Sequence, residues 1–399
     1  MKKTFLFLLL VLLVGCKSSS IFTDIGTNIA SPSYISINAA GDRLYVVNSN
    51  DQAFYRPEQG SLQTYVLSLN ANGVPYPAAA ALKTSQITSL SSQMYIDVVN
   101  NLAYLANRYS VNADVSQDAL FTIDFNEASA DYLGVADGTP IQLDPYGVAC
   151  CYPANRTWIT SENFLQYLDL TTTAQVLSPV NLDMRVTLDN GSTVAQAEIN
   201  FIQIFNNQAY ISRLRGGVFI VNLDEVGVAG KQPVDYFLDG VDEPRDITTD
   251  GTNIYILNQG VVVDEYIPHI LVVDPTKFPA LTDNASPLYV DMSLDSDTPH
   301  ASVVTTVEVE EDPQNIAITT GLGQNLAFVT CRENNKLSVV NTTTMQKQVE
   351  ALDTGEYPYS MAFYAPAGTS EFLYVGNLYD NNFTIVKIDT NPTVVATYP

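Results

Sequence analysis

The sequence predicts an all-β fold, a seven-bladed β-propeller built from four-stranded antiparallel blades. Three observations carry that expectation. A proline, a tight turn and a Tyr-apolar-X-Asn strand recur together, plainest at Pro32-Ser-Tyr-Ile35 with Leu44-Tyr-Val-Val-Asn48 and at Pro358-Tyr-Ser-Met361 with Leu373-Tyr-Val-Gly-Asn377. The segments between turns alternate and are rich in Val, Ile, Tyr and Phe, as half-buried strands are. No long helical pattern interrupts them, and units repeating at this spacing bury their faces only against one another.

Taken in order, the first strand of each unit starts at Ile35, Ile96, Val148, Ile202, Ile247, Ile316 and Met361. A proline lies three residues earlier in five of them: Pro32, Pro145, Pro244, Pro313 and Pro358. The second strand carries Tyr45, Tyr104, Trp158, Tyr210, Tyr255, Phe328 and Tyr374. Three residues on come Asn48, Asn107, Ser161, Arg213, Asn258, Cys331 and Asn377. Gly41-Asp42, Asn100-Asn101, Asn206-Asn207 and Asp250-Gly251 suit the hairpins between first and second strands. A third strand then ends near Asp or Asn, as in Leu120 to Asp124 and Ile270 to Asp274. A more variable fourth strand, such as Val394 to Tyr398, closes each unit. A β-sandwich or two smaller barrels would not repeat one motif seven times.

Residues 1–15 read as an export leader: Lys2 and Lys3, then an apolar run from Thr4 to Val14. That run is short of the roughly 20 residues needed to span a bilayer. Leu13-Val14-Gly15-Cys16 resembles the bacterial lipobox at all four positions, and the resemblance makes Cys16 the lipid-modified first residue of the mature protein. The alternative is an ordinary secretory signal with a chance cysteine. Residues 16–31 then form a tether, and 32–399 the propeller. Position 17 is Lys, so the common inner-membrane retention aspartate is absent, which favours an outer-membrane lipoprotein facing the periplasm or the surface.

Forty-three acidic residues face eighteen basic ones, a formal net charge of −25. Nucleic acid is excluded as a partner, since binding it needs Lys and Arg in place of phosphate counterions. The charge suits an exposed compartment and attracts cations or basic surfaces.

Tyr45-Val-Val-Asn48 and Tyr104-Leu-Ala-Asn107, with the Asp-ended third strand and the Val394-Val-Ala-Thr-Tyr-Pro399 ending, resemble the YVTN-type β-propeller repeat over about residues 32 to 398. The match is strong in blades 1, 6 and 7 and weak in blades 3 and 4. Propellers of this type occur in bacterial surface and exported proteins, in archaeal surface layers and among lactonase-like and haem-containing enzymes. The resemblance implies a fold more than an activity.

Loop lengths add a direction. The links from second to third strand, and from blade to blade, emerge on one face of a propeller. They are long at 49–62, 108–119 and 259–268, and the interblade insertion Asp183 to Glu198 belongs to the same set. That elaborated face is the expected working surface. The stretch Pro275 to Asp312 could decorate either face.

Candidate chemistry is sparse. The two histidines, His269 and His300, are too few for a His-rich copper or zinc site. His269 opens a third strand and reads as a packed residue. No Cys-x-x-Cys-His appears, so covalent haem has no support. Cys150 falls in an apolar packing position and reads as a buried thiol; a bond to adjacent Cys151 is the alternative, while Cys331 belongs to a distant blade. Asp291, Asp295 and Asp297 form the best candidate calcium ligands in an acidic loop, without EF-hand spacing.

The residues just before each first strand should ring the channel mouth. Tyr34, Tyr95, Tyr146, Arg245, Asp246, Gln314, Asn315 and Tyr359 are the candidate ligand-binding set there, a mix of apolar walls and polar anchors. The same tyrosines could instead pack between blades, and Arg245 could pair with Asp246. No catalytic triad or phosphate loop is present. The expected function is a lipid-anchored exported scaffold that binds a protein or envelope component through the long-loop face. The alternative is a channel-mouth hydrolase or lactonase-like enzyme.

Overall fold

Seven sheets follow one another around a ring, each with its first strand innermost. The computed structural model describes residues 29, 31–38, 40–49, 60–87, 91–97, 100–108, 118–135, 138–150, 156–169, 180–260, 267–281, 286–294, 298–319, 325–348, 350–364 and 371–398. The fold is a seven-bladed β-propeller, and the sole helical turn among the described residues is Pro275–Lys277.

Each first strand begins in the same way. It opens at Pro32, Ser91, Pro145, Ile199, Pro244, Pro313 or Pro358, and a β-bulge follows that residue at once in all seven blades. The residue just before it has a positive φ in six blades: Ser31, Asp144, Glu198, Glu243, Asp312 and Tyr357. The proline preceded by a left-handed residue turns the chain sharply, and the bulge re-aims the side chains that follow it. The recurring proline is therefore a device for pointing residues at the channel.

The aromatic of the second strand packs between blades. Tyr45, Tyr104, Trp158, Tyr210, Tyr255, Phe328 and Tyr374 are all buried, and most of the core clusters combine residues of neighbouring blades. The asparagine that follows ties second strand to third. Asn48 Nδ2 donates to Ser61 Oγ at 3.1 Å, and Asn377 Nδ2 to Thr384 Oγ1 at 2.9 Å. In blade 5 the partner at this place is His269, whose Nε2 lies 3.0 Å from Asn258 Nδ2; burial holds its pKa below the ordinary value. His269 is thus a packed residue.

Both insertions turn out to be structural. The chain from Asp183 to Glu198 doubles back through a Thr187–Thr193 bridge and buries Met184, Val186, Leu188, Val194 and Ala197 in the blade 3–4 core. Its alternation of apolar residues makes it a wedge between blades, while Arg185, Thr187 and residues 189–193 stay exposed. The stretch after Pro275 crosses back to blade 4, where Leu288–Asp291 adds a fifth strand parallel to Val234–Asp239. The two insertions meet: Asp189 N donates to Pro287 O at 3.0 Å, and Tyr289 N to Asp189 Oδ1 at 2.8 Å.

The ring closes without a strand exchanged between blade 7 and blade 1. All four blade 7 strands come from one stretch, Pro358 to Tyr398. Tyrosine hydroxyls do the tying: Tyr374 donates to Pro75 O and Tyr398 to Ala78 O, both at 2.6 Å. In the other direction Tyr76 donates to Thr397 O at 2.9 Å.

Cys150 is disulfide-bonded, which corrects the buried-thiol expectation, and the bond does not involve Cys331, a free buried thiol. Burial, and to a lesser degree the nearby Glu310 charge, push the Cys331 thiol up to about 12, so it is inert.

Candidate functional site

The bulges deliver one residue per blade to the axis. Just ahead of the paired apolar residues Ile35, Met94, Val148, Ile202, Ile247, Ile316 and Met361 stand Tyr34, Gln93, Gly147, Phe201, Asp246, Asn315 and Ser360. Six of these seven line a central cavity of about 220 Å³, together with Tyr146, Gln314 and Tyr359. Gly147 contributes no side chain because blade 4 comes too close: a Cβ there would stand 2.7 Å from Asn200 O.

The expected set is largely assembled, with two exceptions. In blade 2 the residue equivalent to Ile35 is Met94, which faces Leu105, two places before the expected Ile96. Gln93 therefore takes the channel position, while Tyr95 packs half-buried against the blade 2–3 layer. Blade 2 has Ser91 where most blades have proline, so the strongest marker of register is missing. Arg245 points to the rim instead. Its guanidinium bonds Gln259 Oε1 and reaches Glu243 at 3.4 Å, so its ion pair is with Glu243 and not with Asp246. Gln314 lines the cavity, but its amide is held by Asp312 at 2.8 Å. Phe201 and Ser360 stand in the ring expected just before the first strands and do line the cavity, whereas sequence reasoning missed Gln93.

Across the mouth, Tyr146 Oη lies 3.0 Å from Tyr359 Oη, and Phe201 packs edge-on to Tyr146 at 5.0 Å. Burial raises the Tyr146 hydroxyl pKa. Tyr359 is raised first by Tyr146 and then by burial, so both remain protonated. Deeper in the wall sits Asp246. Its Oδ2 accepts from Ile316 N at 2.9 Å and Asn315 Nδ2 at 2.5 Å, and its Oδ1 from Ile247 N at 2.8 Å. Burial nonetheless pushes its carboxyl up to about 7, against the pull of those three donors. Burial, then the Asp246 charge, pushes Tyr34 up to about 12.

Blade 2 repeats part of this arrangement with a neutral group. Gln93 Oε1 accepts from Val148 N at 3.0 Å, the same bond to the next blade that Asp246 makes to Ile316.

The candidate calcium loop is described in part. Asp291 Oδ1 accepts from Ser293 N at 2.9 Å; the Ser293 hydroxyl first, and then this backbone bond, lower its pKa, and it borders a cavity of about 200 Å³ with Tyr289, Thr298 and His300. Asp295 and Asp297 lie outside the described residues, as do Cys16 and Cys151. Among the described residues, no three His, Cys, Asp or Glu side chains converge as metal ligands do.

On the face where second strands turn into third, Tyr379 stacks on Tyr357 with ring centroids 4.1 Å apart. The Arg332 guanidinium covers Tyr357 at 4.5 Å and pairs with Asp312. Tyr379, Leu214 and Ile267, all on this face, stay 48%, 41% and 53% exposed.

No protein-family model and no curated protein matches the chain. Solved structures do match in fold. A chain of the hydrazine synthase of Kuenenia stuttgartiensis superposes with a TM-score of 0.61 at 11% identity, over 93% of this chain and 99% of that one. A putative 6-phosphogluconolactonase from Bacteroides uniformis gives 0.54 at 15% identity, over 82% and 86%. At such identities the likeness establishes shared propeller architecture and no more.

Proposed function

We propose that this propeller is a lipid-anchored, exported scaffold that holds a protein or envelope component on the face bearing the turns between second and third strands. The observation that carries the reading is the Tyr379–Tyr357–Arg332 stack, rigid and half open to solvent on that face. Tyr and Arg concentrate at the energetic centres of protein interfaces because each presents a large, stiff contact area with a polar tip. Leu214 and Ile267 extend apolar surface along the same face. Cys16 supplies the lipid, and the acidic surface favours a partner with a basic rim.

The hydrolase alternative has less support. The channel cavity, about 220 Å³, is smaller than the roughly 300–1,000 Å³ of ordinary ligand pockets. Its one lining carboxylate among the described residues is engaged by three donors.

The test is a photo-crosslinking amino acid placed at Tyr379 in the full chain expressed in cells, with Asn391 on the opposite face as control. A discrete crosslinked partner from Tyr379 and none from Asn391 is expected. Equal labelling from both positions would contradict the proposal. The anchor is tested separately: wild type partitions into the detergent phase of a phase-separating surfactant, and Cys16→Ser into the aqueous phase.

A further inference from the structure

The interblade bond of Asp246 does not require its charge. The interblade bond it makes to Ile316 N is made in blade 2 by the neutral amide of Gln93 to Val148 N. A carboxylate at this place keeps the same bond and adds a buried negative charge, which is costly unless a cation offsets it. Among the described residues no cation contacts it. The two guanidiniums that act on neighbouring Tyr146 are paired elsewhere, Arg108 with Asp144 at 2.7 Å and Arg245 with Glu243 at 3.4 Å. The carboxylate instead borders the 220 Å³ cavity, whose other walls include the rings of Tyr34, Tyr146, Phe201 and Tyr359.

We propose that the central channel is a binding site for a small organic cation, an alkylammonium group held by the Asp246 carboxylate and flanked by aromatic rings. Aromatic faces attract such cations through the ring quadrupole, most strongly where water is excluded. The carboxylate sets the charge, and the cavity volume limits the ligand to a few heavy atoms. The Tyr146 and Tyr359 rings line the cavity and meet through their hydroxyls, so they form part of the wall the ligand passes. This site is independent of the partner face proposed above.

The test uses purified full-length protein with propylammonium and tetramethylammonium as probes and sodium at matched ionic strength as the reference. The expected result is one-to-one binding by calorimetry and a rise in melting temperature that sodium does not reproduce. Asp246→Asn, which keeps an oxygen for Ile316 N, should weaken binding at least tenfold. A second readout guards against an unfolded variant. Binding to wild type near pH 7 should release part of a proton to the buffer, seen as a heat that depends on buffer ionisation enthalpy and vanishes by pH 9. Stabilisation equal to that by sodium, or binding unchanged in Asp246→Asn with no proton released, would overturn the proposal.

Discussion

Tyr146 and Tyr359 meet hydroxyl to hydroxyl at 3.0 Å from opposite sides of the ring, 213 residues apart in the chain. The contact joins blade 3 to blade 7 across the axis. A buried hydrogen bond of this kind is worth about 0.5–1.5 kcal/mol. Tyr146→Phe and Tyr359→Phe should each lose about that much in urea unfolding, and the double variant less than their sum. Strictly additive losses would show that the two hydroxyls do not depend on each other.

Ring closure rests on side chains, so it should be easy to weaken. Tyr374 and Tyr398 each bond a blade 1 carbonyl. Tyr374→Phe combined with Tyr398→Phe should cost about 1–3 kcal/mol and increase hydrogen exchange first in blades 1 and 7. Protection lost evenly over all seven blades would argue against closure as the weak point.

The cysteines give a chemical check. In denaturant without reductant, alkylation should label Cys331 and leave Cys150 unlabelled; in the native state neither should react. Labelling of Cys150 in denaturant before reduction would contradict its disulfide.

Asp246 makes a signed pH prediction. Its folded pKa of about 7 lies above the ordinary 3.8, so between those values the folded state holds the extra proton. The resulting stability is complete below the unfolded pKa and is lost as pH rises through 7. Against wild type, Asp246→Asn should flatten stability versus pH by up to about 1.4 kcal/mol per pH unit between pH 5 and 6.5. Parallel curves would place the pKa of Asp246 near its ordinary value.

The fold was legible because its markers are local. A proline before each bulge, an aromatic at every blade interface and an asparagine bonding the third strand each announce themselves within about fifteen residues, close to what one strand pair needs. The channel set followed at Tyr34, Asp246, Asn315 and Tyr359, each shortly after a proline, although Arg245 after Pro244 turns to the rim. It failed at Tyr95, where Ser91 replaces the proline and the register moved by two. Two residues of equal parity still point to the same side of a strand, so pattern alone could not reveal the slip. The Tyr146–Tyr359 contact joins residues far apart in the chain, and the Asp183–Glu198 wedge is an apolar loop until its neighbours are known. Cys150 alternates in phase with packed residues, so nothing local separates thiol from disulfide.

Binding of a partner through the exposed aromatic stack, and not at the channel, is checked by one comparison. Full-length protein carrying Tyr379→Ala with Arg332→Ala is purified from membranes beside Tyr359→Phe, and the co-purifying partner identified by the Tyr379 crosslink is quantified. At least a tenfold loss of that partner is expected with the face variant and little change with the channel variant. Full retention with the face variant, or loss confined to the channel variant, would contradict it.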